Sequence, residues 1–210
     1  MFRLTILFLI VPFLAFAKQI DVCENCAQTS IQGAISVADS GDVILVKTGL
    51  YNEYDIVVDR PLTLKAEENV IVDGQENGYI IKVQADYVTI SGFHLKNVGA
   101  SFTKDFAAIY LHRVEHFLIE NCILEAVFFG MLIEKSNHGL VKNNVVSGEG
   151  TQEITSGNGI HLWHCNNVVV EGNYCHNLRD GIYFEFVTKS KVINNLSEHN
   201  LRYGLHFMFS

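Results

Sequence analysis

Placing Ala108, Gly130, Gly159, Gly181 and Gly204 in register divides the second half of the chain into units that start 22, 29, 22 and 23 residues apart. One position on lie Ile109, Met131, Ile160, Ile182 and Leu205, and three positions on lie Leu111, Ile133, Leu162, Phe184 and Phe207. All of these are apolar, which chance would give about once in a thousand alignments. Further along, Ile119, Val141, Val170 and Val192 share a position, followed three residues later by Cys122, Asn144, Asn173 and Asn195. Period-two strands, Gly- and Asn-rich corners and a ~22-residue repeat describe an all-β parallel solenoid, each coil stacked about 4.8 Å from the last. Asn144, Asn173 and Asn195 then form an inward ladder of side-chain amides; ordinary turn residues are the alternative.

The first half fits the same scheme. From Val43 onward the chain runs in short β-rich segments (43–46, 55–58, 62–65, 70–72, 79–83 and 87–90) broken by Gly, Asn and Asp. Ahead of them Ile31, Ala34, Ile35 and Ala38 make an apolar stripe at helical spacing. Thr29 or Ser30 caps its start and Ser40-Gly41-Asp42 ends it. This short helix is expected to cover the open strand edge of the first coil. At the other end, 204–210 stops partway through a coil with no cap, so the chain is expected to be the N-terminal part of a longer protein.

Residues 1–17 have the form of a signal peptide: Arg3, an apolar run from Leu4, and Ala15-Phe16-Ala17 as a cleavage site. An uncleaved anchor is the other reading. The domain organisation is thus a leader at 1–17, an N-terminal segment with its capping helix at 18–42, and a β-helix at 43–210, truncated at its C-terminal end. Once the leader is removed no span remains, and the mature protein is expected to be soluble and periplasmic. Export bears on Cys23 and Cys26, a Cys-x-x-Cys pair for which a structural disulfide, a soft-metal site and redox exchange all stand. Cys122, Cys165 and Cys175 lack ligand spacing and read as buried thiols. A formal net charge of −8 argues against a nucleic-acid partner. The chain also contains no Walker loop, nucleophile elbow or dinucleotide fingerprint, so it is read as a non-enzyme.

If the first and third residues of each repeat strand point inward, the second and fourth point to solvent. The second column reads Tyr110, Leu132, His161, Tyr183, His206, and the fourth His112, Glu134, Trp163, Glu185, Met208. Glu185 should neighbour Met208, His112 should neighbour Glu134, and His206 should lie diagonal to Glu185. Imidazole and thioether suit copper, with a carboxylate as a weaker ligand. The candidate metal residues are therefore His161, His206, Glu185, Met208, His112 and Glu134, with Cys23 and Cys26 as a separate option. A wet protein-docking face is the competing reading. His94, His116, His138, His164, His176 and His199 fall near turns and read as solvated; Arg179-Asp180 reads as a corner pair, and Phe186 and Phe209 as a stack.

The segments Ser156-Gly-Asn-Gly-Ile-His-Leu-Trp-His-Cys, Arg179-Asp-Gly-Ile-Tyr-Phe-Glu-Phe-Val and Leu201-Arg-Tyr-Gly-Leu-His-Phe-Met-Phe-Ser resemble the NosD family. These are periplasmic accessory proteins of nitrous oxide reductase maturation. The stretch from Ile31 through Gly49-Leu-Tyr is similar to the start of their β-helix, so the resemblance covers most of the mature chain. It implies a right-handed parallel β-helix that supports assembly of the reductase's copper-sulfur centre by copper or sulfur handling and protein docking, with copper as the metal. It also implies an ABC transporter membrane subunit as partner, together with nitrous oxide reductase or a copper chaperone. The competing class is a polysaccharide lyase, hydrolase or epimerase, since β-helices often carry such sites. The repeats contain no acidic triplet of the kind a lyase uses to hold Ca²⁺.

Overall fold

A computed structural model describes residues 17–101 and 103–210, and the expected leader lies almost wholly outside them. The described chain winds as a parallel β-helix whose strands stack into one eight-stranded and two seven-stranded sheets. The first sheet is Gln19–Val22, Val43–Val46, Thr63–Ala66, Thr89–Ser91, Leu118–Glu120, Leu140–Lys142, Val169–Glu171 and Lys191–Ile193. The second is Gly49–Asn52, Val70–Asn77, His94–Val98, Ile123–Glu125, Val145–Ser147, Tyr174–His176 and Leu196–Glu198. The third is Ile56–Val58, Ile81–Val83, Ala107–His112, Phe129–Glu134, Ile160–Trp163, Asp180–Glu185 and Tyr203–Met208.

The register is the one the repeat predicts. Ile109 pairs with Met131, Met131 with Ile160, Ile160 with Ile182, and Ile182 with Leu205. In the first sheet Ile119, Val141, Val170 and Val192 pair in succession. Apart from Val192 and Leu205 near the open last coil, their side chains fill the tube, and each fully buried Ile or Leu contributes about 2 kcal/mol by leaving water. The glycine column follows from the spacing of coils: a Cβ on Gly159 would lie 2.5 Å from the Gly181 carbonyl oxygen.

Corners repeat as faithfully as strands. Arg113, Lys135, His164, Phe186 and Phe209 occupy one corner column with φ of 57, 50, 52, 54 and 54°. The ring of Phe186 lies between those of His164 and Phe209, with centroids 4.6 and 5.0 Å away. At another corner the asparagine ladder forms as read. Asn144 Nδ2 donates to Asn173 Oδ1 at 2.9 Å, and Asn173 Nδ2 to Asn195 Oδ1 at 2.9 Å. The same oxygens accept from the backbone N–H of Asn144 and Asn173, at 3.0 and 2.8 Å. A serine ladder not singled out from the sequence does similar work: Ser136, Ser190 and Ser210 hydroxyls accept from the N–H of Val114, Val168 and Val187.

The helix spans Ile31–Val37 and buries Ile31, Ala34 and Ile35, with Ser30 as its cap accepting from Gly33 N–H. The Glu53 carboxylate, one coil on, accepts from the N–H groups of Ile31 and Gln32 at 2.8 and 3.1 Å. One boundary moves: Gln19–Val22 precedes the helix yet pairs with Val43–Val46, so the β-helix begins inside the segment assigned to the cap. The polar-apolar alternation Gln19-Ile20-Asp21-Val22 was the available signal, but it is only four residues long and stands apart from the repeat.

Asn173→Ala removes the oxygen serving two Asn144 donors and leaves them buried, so it should lower unfolding stability by about 3 kcal/mol in urea titrations. Asn195→Ala, on the more open last coil, should cost less than half of that.

Candidate functional site

The outward side of the third sheet carries most of the residues singled out for chemistry. Parallel pairing sets His161 beside Leu132 and Tyr183, and Tyr183 beside His206. Ring centroids of His161 and Tyr183 are 4.6 Å apart, as are those of Tyr183 and His206. At the other end of the face Tyr79 stacks on Tyr110 at 4.8 Å. The second column was expected to point to solvent, yet Leu132 is only 3% exposed and Tyr183 7%. Large side chains at coil spacing cover one another. Leu132, Ala107 and Phe129 also form a small apolar cluster with Tyr79, Tyr110 and Phe128 packed against it.

The six metal candidates on this face fall into three groups. The first is His112 and Glu134, with His112 Nδ1 3.2 Å from Glu134 Oε2 and the Tyr110 hydroxyl donating to that oxygen at 2.7 Å. Burial and this bond push the Tyr110 hydroxyl well above the usual phenol pKa.

The second group gathers His161, Glu185 and Met208 around Tyr183. The Tyr183 hydroxyl donates to Glu185 Oε2 at 3.2 Å and lies 3.4 Å from Met208 Sδ. His161 Nε2 is fully buried without a hydrogen-bond partner, although Glu185 Oε2 is 3.9 Å away. Its Nδ1 lies 3.4 Å from Asn158 Nδ2. Burial, reinforced by Arg179 and only partly offset by Asp180, pushes the imidazole down to about 4. At neutral pH it is uncharged and presents a lone pair.

The third group is His206 alone, which lies diagonal to Glu185 as expected, since Tyr183 pairs with His206 and Glu185 with Met208. His206 Nδ1 turns to Asp180 Oδ2 at 3.3 Å. Arg202 clamps the same carboxylate through Nη2 at 2.6 Å and Nε at 3.1 Å. The Asp180 side chain is fully buried; burial works to raise its pKa, but the bonds from Arg202 and His206 hold it below the carboxylate range. Arg179 is not its corner partner: the guanidinium donates to Asn158 Oδ1 at 3.2 Å. Arg202, one coil further, matches the position of Arg179, and the stagger decides which of them reaches Asp180.

Cys23 and Cys26 are joined as a disulfide, so of the readings left open the metal option is corrected: both sulfurs are bonded to each other. Cys122, Cys165 and Cys175 are buried free thiols, pushed up to about 12, 11 and 12 by burial. They are inert as nucleophiles.

Sequence reasoning missed one cluster. Among the described residues, Glu115, His116 and His138 are the His, Cys, Asp and Glu side chains that bring three ligand atoms within 4.8 Å of one another. His116 and His138 were assigned to solvated turns, and they are exposed. Their 22-residue separation, the same as the repeat, was the available signal.

Stacked parallel coils with period-two columns define the class: this is a right-handed parallel β-helix protein, and residues 107–210 match the family described as right handed beta helix region. Sequence comparison goes further. The chain is 32% identical over 129 residues to the probable ABC transporter binding protein NosD of Pseudomonas aeruginosa, covering 60% of this chain and 30% of that protein. It is 29% identical over 126 residues to the protein of the same name from Stutzerimonas stutzeri, covering 59% and 29%. The chain is thus similar to NosD proteins over about 60% of its own length, and it matches less than a third of the length of these relatives. Among solved structures, pectate lyase Pel9A superposes with a TM-score of 0.68 at 17% identity, over 89% of this chain and 55% of that one. The pectin methylesterase of Aspergillus niger gives 0.56 at 13% identity, over 93% and 87%. At such identities the likeness is one of fold. No helix among the described residues is long and apolar enough to cross a membrane.

Two measurements follow. His161 binds its proton more readily unfolded than folded, so its contribution to stability is full above about pH 6.5 and is lost as pH falls toward 4. That loss amounts to ~3 kcal/mol and should be missing in His161→Phe when urea midpoints of the two proteins are compared across this range. Arg202→Leu strands a buried carboxylate and should destabilise by about 3 kcal/mol at neutral pH, with recovery when Asp180→Asn is added.

Proposed function

We propose that this chain is the β-helix part of a non-catalytic periplasmic accessory protein, working beside an ABC transporter in assembly of the copper-sulfur centre of nitrous oxide reductase. The relationship to NosD proteins, named as ABC transporter binding proteins, supports the transporter association. Copper is the cargo in this reading, and the transporter's membrane subunit and the reductase or a copper chaperone are the partners. The Cys23–Cys26 disulfide suits an oxidising compartment.

The observation that carries the copper reading is the buried, neutral and unpartnered Nε2 of His161. A buried polar atom without a partner is costly, so such an atom marks a place where a ligand offsets the cost. Here it lies near a carboxylate, Glu185, and in the same group as a thioether, Met208. That donor set suits a soft or borderline cation. The aromatic remainder of the face, with Trp163 under the Lys135 ammonium at 4.9 Å, supplies a flat surface for docking.

A polysaccharide-cleaving activity has less support. The lyase and esterase share the fold, and fold carries no chemistry by itself. Asp180 is held in an ion pair, and Glu134 and Glu185 each accept from a tyrosine.

Anaerobic Cu⁺ titration against a chromophoric chelator should show binding by the chain that weakens by about tenfold or more in His161→Phe and Met208→Leu. A strain lacking the protein should yield reductase poor in copper. Unchanged Cu⁺ affinity in both variants would remove His161 and Met208 as ligands. Fully loaded reductase would sink the maturation role, and release of unsaturated sugars from pectate or alginate would establish the enzyme reading instead.

A further inference from the structure

The corner joining the third sheet to the first presents a second donor set, remote in chemistry from the half-buried outward face. Backbone bridges align Glu115 with Asn137 and Asn137 with Asn166 across successive coils. The residues that follow, His116, His138 and Asn167, share a left-handed conformation with φ of 57, 55 and 53°. This brings three side chains from two coils together: Glu115 and His116 adjacent in sequence, and His138 one coil on. We propose that Glu115, His116 and His138 form a binding site for a divalent first-row transition-metal ion, separate from the His161 group.

Four features support the assignment. Glu115 offers a carboxylate with both oxygens turned to nitrogen neighbours, Oε1 to Asn137 Nδ2 and Oε2 to His138 Nδ1. The donors lie close: His138 Nδ1 is 2.8 Å from Glu115 Oε2, and all three residues place a ligand atom within 4.8 Å of the others. The surroundings restrain them. Asn137 Nδ2 donates to Glu115 Oε1 at 2.8 Å, and the far nitrogen of His138, Nε2, lies 3.3 Å from Asn167 Nδ2. The Asn137 contact is of the kind that fixes the orientation of a ligating carboxylate. Finally, the site faces solvent, so water can complete the coordination that three protein ligands leave open.

Two imidazoles and one carboxylate select borderline ions such as Zn²⁺ or Cu²⁺ over Mg²⁺ or Ca²⁺, which favour an all-oxygen shell. The rings of His116 and His138 stack with centroids 5.1 Å apart and planes 20° apart, and His116 also stacks on Tyr87 at 4.8 Å. Near-parallel rings cannot both aim a lone pair at one ion. Binding therefore turns one imidazole out of its stack, and the exposed position of both leaves room for that turn. The competing account is a plain ionic contact between His138 and Glu115, with stacked rings as corner filling.

The test is calorimetric titration of the purified full chain with ZnCl₂ at neutral pH. One site is expected. His116→Asn and His138→Asn are the informative variants, because asparagine already occupies this position one coil on, at Asn167, with the same backbone conformation. The double variant should lose Zn²⁺ affinity by about a hundredfold, and Asn137→Ala, which frees Glu115, by about tenfold. His161→Phe should keep the site intact, which separates this result from the fate of the copper reading. In proton spectra Zn²⁺ should shift the ring signals of His116 and His138, and Mg²⁺ should leave them unmoved. Absence of Zn²⁺ binding by the unmodified chain, or equal affinity in the doubly substituted protein with an unchanged urea midpoint, overturns the proposal.

Discussion

The structure depends on one constraint: successive coils must hydrogen-bond in parallel register at a single spacing, at corners as well as along strands. Strands meet this requirement through their own ladders. Corners meet it only in part: the N–H groups of Arg113, Lys135, His164 and Phe186 reach the next coil's carbonyls, but those of Cys122, Asn144 and Asn173 find side-chain acceptors instead. The chain solves this with side chains, and Asn144, Asn173 and Asn195 each place an amide oxygen where the neighbouring coil's N–H needs an acceptor. Left-handed residues at the same height in the later coils complete the bend. A ladder of this kind is cooperative, since removal of one member leaves donors stranded inside the tube.

Register also dictates what a functional site here can look like. Side chains on one face form straight columns, so residues far apart in sequence become neighbours at a fixed distance. Bulky rings at that distance shelter each other, which is why Tyr183 and most of His161 leave solvent although their strand faces outward. The shelter makes His161 neutral and leaves its Nε2 without a partner. One coil away the same geometry yields the opposite result: Asp180 stays ionised because Arg202 and His206 both reach it. Two adjacent positions thus carry a proton-poor imidazole and a clamped carboxylate, and the difference lies in which long side chain arrives from the next coil.

Much of this was legible before any coordinates. The solenoid, its register, the cap helix, the asparagine ladder and the Phe186–Phe209 stack all follow from spacings, because a repeat fixes vertical neighbours once its period is known. Sequence also supplied the membership of the outward columns, and so brought Tyr183, Glu185 and Met208 into view. It failed where side-chain reach mattered. The partners of Asp180 were not visible in the columns: His206 and Arg202 reach it from the next coil, whereas Arg179 turns to Asn158.

Period alone therefore determined the architecture: apolar residues returning every coil have one way to bury themselves together, and the chain takes it. Which donors converge was decided by tertiary structure. The direction of a long arginine, the depth at which an imidazole settles and the meeting of Glu115 with His138 depend on rotamers and on the stagger of turns. None of these leaves a trace in hydrophobic spacing, because polar side chains at a corner are free to point several ways until the neighbouring coil is in place.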